Sequence, residues 1–348
     1  MPKRVTLRDI AGVAGVHFTT VGLALRHDPR VLPETAARVQ AAARQLGYTH
    51  DAMLSALSTY RHRHSRRFAG VIAYIVTYGP EMLKTNVTER TVLAAATACA
   101  QFHNFSLESF RIDAPDMTGP RMSKLLRSRG IQGVILSPKL PRPGPMPALE
   151  WEHFSTVAVG FSITDLRVHR VCIYHSHNVR LCLTQLRARG YRRTGLIFAR
   201  EIYERSRGHV IGAYMAEQCL LPPAEQVQPL FVSETELTKA NLGRWLYEQR
   251  VDSVILSAKP LETLENIRAL GYGVPDPLGV ALISRFGQTD GIAGIDERMR
   301  LLGEHAVDTV IAMIGRNEKG LPDSPHYTFI EGAWVERPTV RARAANGN

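Results

Sequence analysis

From Ala69 to Leu270, short apolar runs alternate with stretches of helical periodicity, a pattern that few folds accept. Ala69-Gly70-Val71-Ile72-Ala73-Tyr74-Ile75-Val76 reads as a strand, Glu89 to Phe102 as a helix and Ser106 to Arg111 as a strand; helical Arg121 to Arg129 and the strand Gly133-Val134-Ile135-Leu136 follow. A second round begins near Val157-Ala158-Val159. It continues through helical Asn178 to Ala188, strand Thr194 to Ala199, helical Ser206 to Cys219 and strand Gln228 to Val232. Helical Glu236 to Gln249, strand Ser253 to Ser257 and helical Pro260 to Leu270 complete it. Strands that are apolar throughout and are followed by helices belong to parallel sheets covered on their faces. The pattern predicts two similar α/β lobes.

The first sixty residues obey a different rule. Thr6-Leu7-Arg8-Asp9 sets a hydroxyl N-cap three residues before an acid, a variant of the capping box, and Leu7, Ile10, Ala11 and Ala14 form one apolar stripe. Gly15 suits the left-handed conformation that ends such a helix. From Val16 a second helix turns Val21 and Leu25 inward and leaves His17, Phe18, Thr19, Thr20 and Leu23 outward. A helix this short is unstable alone, so it must lean on its neighbours, and its outer face is then free to read base edges. A third helix begins at Pro33, where a missing N–H costs nothing, and stops at Gly47. Asp51 caps a fourth, Ala52 to Leu57, with more apolar surface than so small a head can bury on one side. The expected division is a helix-turn-helix head over 1–50, a hinge helix and basic linker over 51–67, a two-lobed body over 68–340 and a polar tail over 341–348.

Several of these residues carry a family resemblance. Val5-Thr6-Leu7-Arg8-Asp9-Ile10-Ala11, Ala14-Gly15-Val16, Thr20-Val21, Ala24-Leu25-Arg26, Val39, Ala42-Ala43 and Leu46-Gly47-Tyr48 resemble the head of LacI-type regulators of the LacI/GalR family. Leu186 to Ile197 resembles the family's helix-to-strand passage, and Gly271 to Pro275 with Gly303 to Ala306 sits where similar landmarks belong. The resemblance implies a periplasmic-binding-protein-like body in which Leu278 to Ile283 ends the second lobe. The chain would then cross back through Gly291 to Ile314 and cross again at Thr328 to Val335.

Charge agrees with a nucleic-acid partner. Met1 to Arg67 holds 11 Lys+Arg against 4 Asp+Glu, a net of +7, and the whole chain carries +11, so 11 − 7 = +4 remains for the other residues. Phosphate neutralisation depends on such local concentration. Arg61-His62-Arg63-His64-Ser65-Arg66-Arg67 reads as a solvated connector able to touch phosphate, and His62 and His64 between arginines read as solvated, with a metal site as the alternative. No apolar run reaches membrane-spanning length and the amino terminus lacks the order of a secretory signal, so the expected location is the cytoplasm. Cys99, Cys172, Cys182 and Cys219 show no CxxC or finger spacing and read as buried thiols. No cofactor is expected.

On DNA, the resemblance places Phe18 and Thr19 at base-reading positions, and Thr6, His17, Thr20, Arg26, Arg30 and Thr35 at or beside phosphates. Leu23 stands where relatives often carry arginine and would meet a thymine methyl in place of a guanine. Leu57 matches the leucine that relatives wedge into the minor groove beside its mate, which requires a homodimer and a near-palindromic operator.

In parallel sheets a ligand binds beyond the carboxyl ends of the strands. The candidates for a small, sugar-like effector are therefore Thr77, Tyr78, Ser137 and Phe161 on the first lobe and Arg205, Lys259 and Ser284 on the second. Arg205-x-x-Gly208-x-x-x-x-Ala213 resembles the passage in which the family's arginine meets effector hydroxyls; the alternative is a surface arginine paired with Glu201 or Glu204. Ala258-Lys259 and Ser284-Arg285 replace the family's acidic positions, leaving fewer acceptors for sugar hydroxyls. His175-Ser176-His177 is the nearest thing to a reactive cluster, yet it reads as the cap of a helix, and there is no G-x-S-x-G, GxxxxGK[ST], HExxH or early GxGxxG. An enzyme is not expected. The rival reading is an architectural DNA-binding protein whose second half only dimerises.

Overall fold

The computed structural model describes residues 5–25, 28, 30–48, 69–138, 142–285 and 289–343. The hinge helix, the basic linker, Arg26 and Leu57 lie outside these residues.

Among the described residues the head holds three helices: α1 (Leu7–Ala14), α2 (Phe18–Ala24) and α3 (Pro33–Gln45). The capping box forms as the sequence predicts, with the Asp9 amide donating to Thr6 Oγ1 at 3.3 Å and the Thr6 amide donating to Asp9 Oδ2 at 2.7 Å. Gly15 ends α1 at φ +65°, and Pro33 opens α3. Ile10, Ala14, Val21, Ala24, Val39, Ala42 and Ala43 close on one another as the core of this unit.

The body contains two six-stranded sheets, as the alternation predicts. The first is built from β1 (Gly70–Val76), β2 (Phe105–Arg111), β3 (Gly133–Leu136), β4 (Ser155–Val159), β5 (His169–Ile173) and β11 (Tyr327–Ile330), in the order β11-β5-β4-β3-β1-β2, all parallel. The second uses β6 (Thr194–Ala199), β7 (Leu230–Val232), β8 (Ser253–Leu256), β9 (Gly279–Leu282), β10 (Ala293–Asp296) and β12 (Ala333–Val335), in the order β12-β10-β9-β8-β6-β7. Only β12 runs antiparallel there. The central strands are buried on both faces, which is why they read as unbroken apolar runs.

Helices α4 (Pro80–Thr85), α5 (Val87–Phe102) and α6 (Gly119–Ser128) belong to the first lobe; α7 (His175–Arg187), α8 (Arg200–Ser206), α9 (His209–Cys219), α10 (Lys239–Gln249) and α11 (Pro260–Ala269) belong to the second. The last, α12 (Met299–Arg316), returns to pack on α5 and the first sheet.

The structure corrects the sequence reading in several places. The second lobe does not end at Ile283, because β10 pairs with β9; the return crossing falls at Glu297 and Arg298. Strand β5 has no counterpart among the expected strands, since His169 and Arg170 disguise it. The helix expected from Ser206 to Cys219 is broken, because Arg207 and Gly208 both adopt left-handed backbone between α8 and α9. His175 does not precede a helix but opens α7, whose N-cap is Tyr174 with no side-chain hydrogen bond. All four thiols are free, but only Cys172 and Cys182 are buried; Cys99 is partly buried, and Cys219, the last residue of α9, is exposed.

Candidate functional sites in the head and the cleft

The outer face of α2 is polar and accessible because its inner face, Val21 and Ala24, is spent on the core of the head. His17, Phe18 and Thr19 are exposed, and Thr20 and Leu23 half-buried. His17 Nδ1 lies 2.8 Å from Thr19 Oγ1, and the Phe18 ring, 41% exposed, stands between the His17 ring at 4.4 Å and the Arg8 guanidinium at 5.7 Å. Phe18 thus rests on the head's surface without being buried by it. Thr6 is exposed at the start of α1, and Thr35 is half-buried in the first turn of α3. Arg30 is exposed and forks onto Asp28 at 2.9 and 2.8 Å. A phosphate would compete with that carboxylate for the same guanidinium.

In the body, the lobes are joined by three crossings: after β5, after β10, and between β11 and β12. The crossings deliver His175, Glu297 and Gly332 to one place. Glu297 is buried and accepts a hydrogen bond from Ser284 Oγ at the end of β9. His175 Nδ1 stands 3.8 Å from Glu297 Oε1, too long for a direct hydrogen bond. Asn178, one turn into α7, accepts from the Gly332 amide at 2.9 Å and so ties the first crossing to the third. Burial pushes the Glu297 carboxyl up to about 7, against the hydrogen bond from Ser284. Burial, followed by the nearby His209, pushes His175 down to about 4. The pair therefore combines a neutral imidazole with a carboxyl that titrates near physiological pH. The acceptor missing at Ser284 is supplied from another segment.

The first lobe contributes a second buried carboxyl. Glu89, in the first turn of α5, accepts from Tyr74 Oη at 2.7 Å and from Tyr78 Oη at 2.5 Å, and burial raises its pKa. Tyr78 and the buried Ser137 thus line one polar network at the ends of β1 and β3, with Thr77 beside them in sequence.

A third group gathers at Phe161. Its ring meets the His209 ring edge-on at 4.9 Å, and the Arg207 guanidinium lies 5.9 Å from its centroid. Arg207 reaches from the second lobe to the first, where Nη2 donates to the Thr164 carbonyl at 3.2 Å. Beneath this loop Arg170, 2% exposed, donates to the carbonyls of Gly160, Ile163 and Leu166 at 2.9, 2.9 and 2.8 Å.

The seven cleft candidates therefore fall into distinct settings. Tyr78 and Ser137 join Glu89, Ser284 joins Glu297, and Phe161 joins Arg207 and His209. Arg205 is exposed on α8, and Arg207, two residues on, reaches the opposite lobe. Lys259 caps α11 in left-handed backbone and pairs with Glu262 at 3.5 Å. Sequence reasoning missed Glu89, Glu297, Arg207 and His209. The left-handed break at Gly208 was the available signal for the last two, since glycine favours that backbone.

The family described as bacterial regulatory proteins, lacI family, matches residues 6–51. The transcriptional regulator PtxS of Pseudomonas plecoglossicida is 27% identical over 190 residues, 54% of this chain and 52% of that protein; PtxS of Pseudomonas putida is 27% identical over 191 residues, 55% and 52%. The chain thus spans about half the length of these curated relatives. Among solved structures, the Lac repressor dimer bound to operator and the anti-inducer ONPF is similar with a TM-score of 0.55 and 16% identity, covering 98% of this chain and 100% of that one. The regulator CelR in complex with cellobiose gives 0.53 and 18%, covering 97% and 100%. A LacI-family regulator from Rhizobium etli gives 0.61 and 14%, covering 79% and 100%. At these identities the structures establish the fold. Residues 6–51 thus match the lacI family of bacterial regulatory proteins, and the two-lobed body behind them has the fold of these solved structures.

Proposed function

We propose that the chain is a sequence-specific transcriptional regulator, acting as a repressor. It binds a near-palindromic operator as a homodimer, under the control of a small sugar-like effector held between the lobes. One observation carries this reading: the chain joins a helix-turn-helix with exposed His17, Phe18 and Thr19 to two lobes whose three crossings converge on Glu297, His175 and Asn178. A ligand that bonds to these groups closes the lobes by differential contact with the closed state. The half-buried His209, backed by the buried Phe161 ring, offers a flat ring, and Glu297, Ser284 and Arg207 offer acceptors and donors, a combination suited to a polyhydroxylated ring. PtxS is a transcriptional regulator, and CelR is solved with cellobiose, which supports the same class for this chain. The reading gives the chain no catalytic step and places it in the cytoplasm with its DNA; among the described residues no helix is long and apolar enough to cross a membrane.

The test is capture of genomic fragments by the purified protein near physiological salt, followed by sequencing. A near-palindromic motif is expected; diffuse binding without one would favour the architectural role and overturn the proposal. In the same assay Leu57→Ala is expected to weaken operator binding by roughly tenfold or more, because the bend the wedge opens, at a cost of about a few kcal/mol for the unstacked step, brings more phosphate to the protein. Bulk non-specific binding should change far less, and equal losses on both DNAs would remove the wedge from the mechanism.

A further inference from the structure

We propose that Cys99, His103 and Asp308 form a zinc-binding site where α5 and α12 pack together. His103 Nε2 lies 3.0 Å from Asp308 Oδ1 and Cys99 Sγ lies 3.7 Å from the same oxygen, and all three donor atoms fall within 4.8 Å of one another. Zinc bonds of about 2.0–2.3 Å in a tetrahedron set donor separations of about 3.3–3.8 Å, so an ion fits with small side-chain rotations.

The geometry is held by backbone, not by chance rotamers. Cys99 and His103 are four residues apart at the end of α5, which puts them on one face of its last turn. Asp308 is brought to that face by a close helix crossing, because a Cβ at Gly303 would stand 2.3 Å from the Val92 carbonyl oxygen. The Cys99 thiol also lies 3.7 Å from the Glu304 carbonyl, so the sulfur is aimed into the seam between the helices.

The donor set selects the metal class. A thiolate, an imidazole and one carboxylate suit a borderline ion such as Zn2+, and would serve Mg2+ or Ca2+ poorly. Thiolate and carboxylate balance the two positive charges, and Asp308, 50% exposed, leaves an entry path and a fourth position for water. On binding, the thiol proton is released and His103 takes the tautomer with Nε2 free. This site lies apart from the cleft cluster of Glu297 and His175.

The experiment uses the full chain, stripped with a chelator, loaded with Zn2+ and dialysed against metal-free buffer. One zinc per chain is expected by elemental analysis. Co2+ in its place should show a thiolate charge-transfer band that disappears in Cys99→Ser. His103→Gln and Asp308→Asn, both near the surface, should weaken zinc binding by more than the roughly 10–100-fold that loss of an outer partner costs, with unchanged circular dichroism. A chain that retains no zinc, or one whose zinc content is unchanged by Asp308→Asn and by Cys99→Ser, would overturn the site.

Discussion

Arg170→Met is expected to destabilise the protein by roughly 2–4 kcal/mol, because buried carbonyls lose the charged donor that satisfies them. The guanidinium is buried beneath the loop that follows β4, and its donors satisfy the carbonyls of Gly160, Ile163 and Leu166. Methionine fills much of the same volume but leaves those oxygens without their donor, at about 1–3 kcal/mol for each that water cannot reach. Phe161 sits in that loop, and Arg207 reaches across the cleft to Thr164 of the same loop. The first-lobe wall should therefore loosen along with the fold. Arg170→Lys should recover only part of the loss, since an ammonium cannot span three carbonyls held in the plane of a fork. Urea unfolding of both variants checks this. A midpoint for Arg170→Met within about 1 kcal/mol of the parent, on the scale of an ordinary single substitution, would show that the loop stands without the arginine.

Glu297→Gln is expected to leave stability unchanged below about pH 4.5 and to stabilise the protein increasingly from there to about pH 7 and above. The carboxyl is raised in the fold from 4.5 to about 7, chiefly by burial. A raised carboxyl is protonated in the native state, so its favourable contribution is complete below pH 4.5 and is lost as pH rises through about 7. Glutamine cannot ionise and escapes that loss. At about 1.4 kcal/mol per pH unit, the variant gains as much as roughly 3 kcal/mol above pH 7. Thermal unfolding across the range from acid to alkaline buffer measures it, and a constant difference between the two proteins at every pH would contradict a buried, neutral carboxyl. Because Glu297 sits at the return crossing and holds Ser284, the same substitution separates the acceptor role of the group from its charge in the effector binding proposed above. If the ligand needs a carboxylate, Glu297→Gln loses affinity at alkaline pH and keeps it in acid.

What could be read from the sequence follows the range of the interactions involved. The capping box at Thr6 and Asp9, the proline start of α3, the left-handed Gly15 and the inward Val21 are decided within one or two helical turns, and each is in place. The central strands were legible because burial on both faces forces apolar residues at every position. Strand β5 was not, because its buried arginine serves a loop that the strand meets only after folding. The cleft divides along the same line. Chain order alone placed Tyr78, Ser137, Phe161 and Ser284 at strand ends, but Arg207 was hidden by a helix break, and Glu297 by a crossing one strand later than expected. The sequence by itself determined the head, the alternation and the strand ends, since local hydrogen bonds and apolar periodicity specify them. Only the tertiary structure decided which charged groups meet, because Glu297, His175 and Asn178, like Cys99, His103 and Asp308, lie on segments distant in the chain. They converge through the packing of helices and the three crossings between sheets.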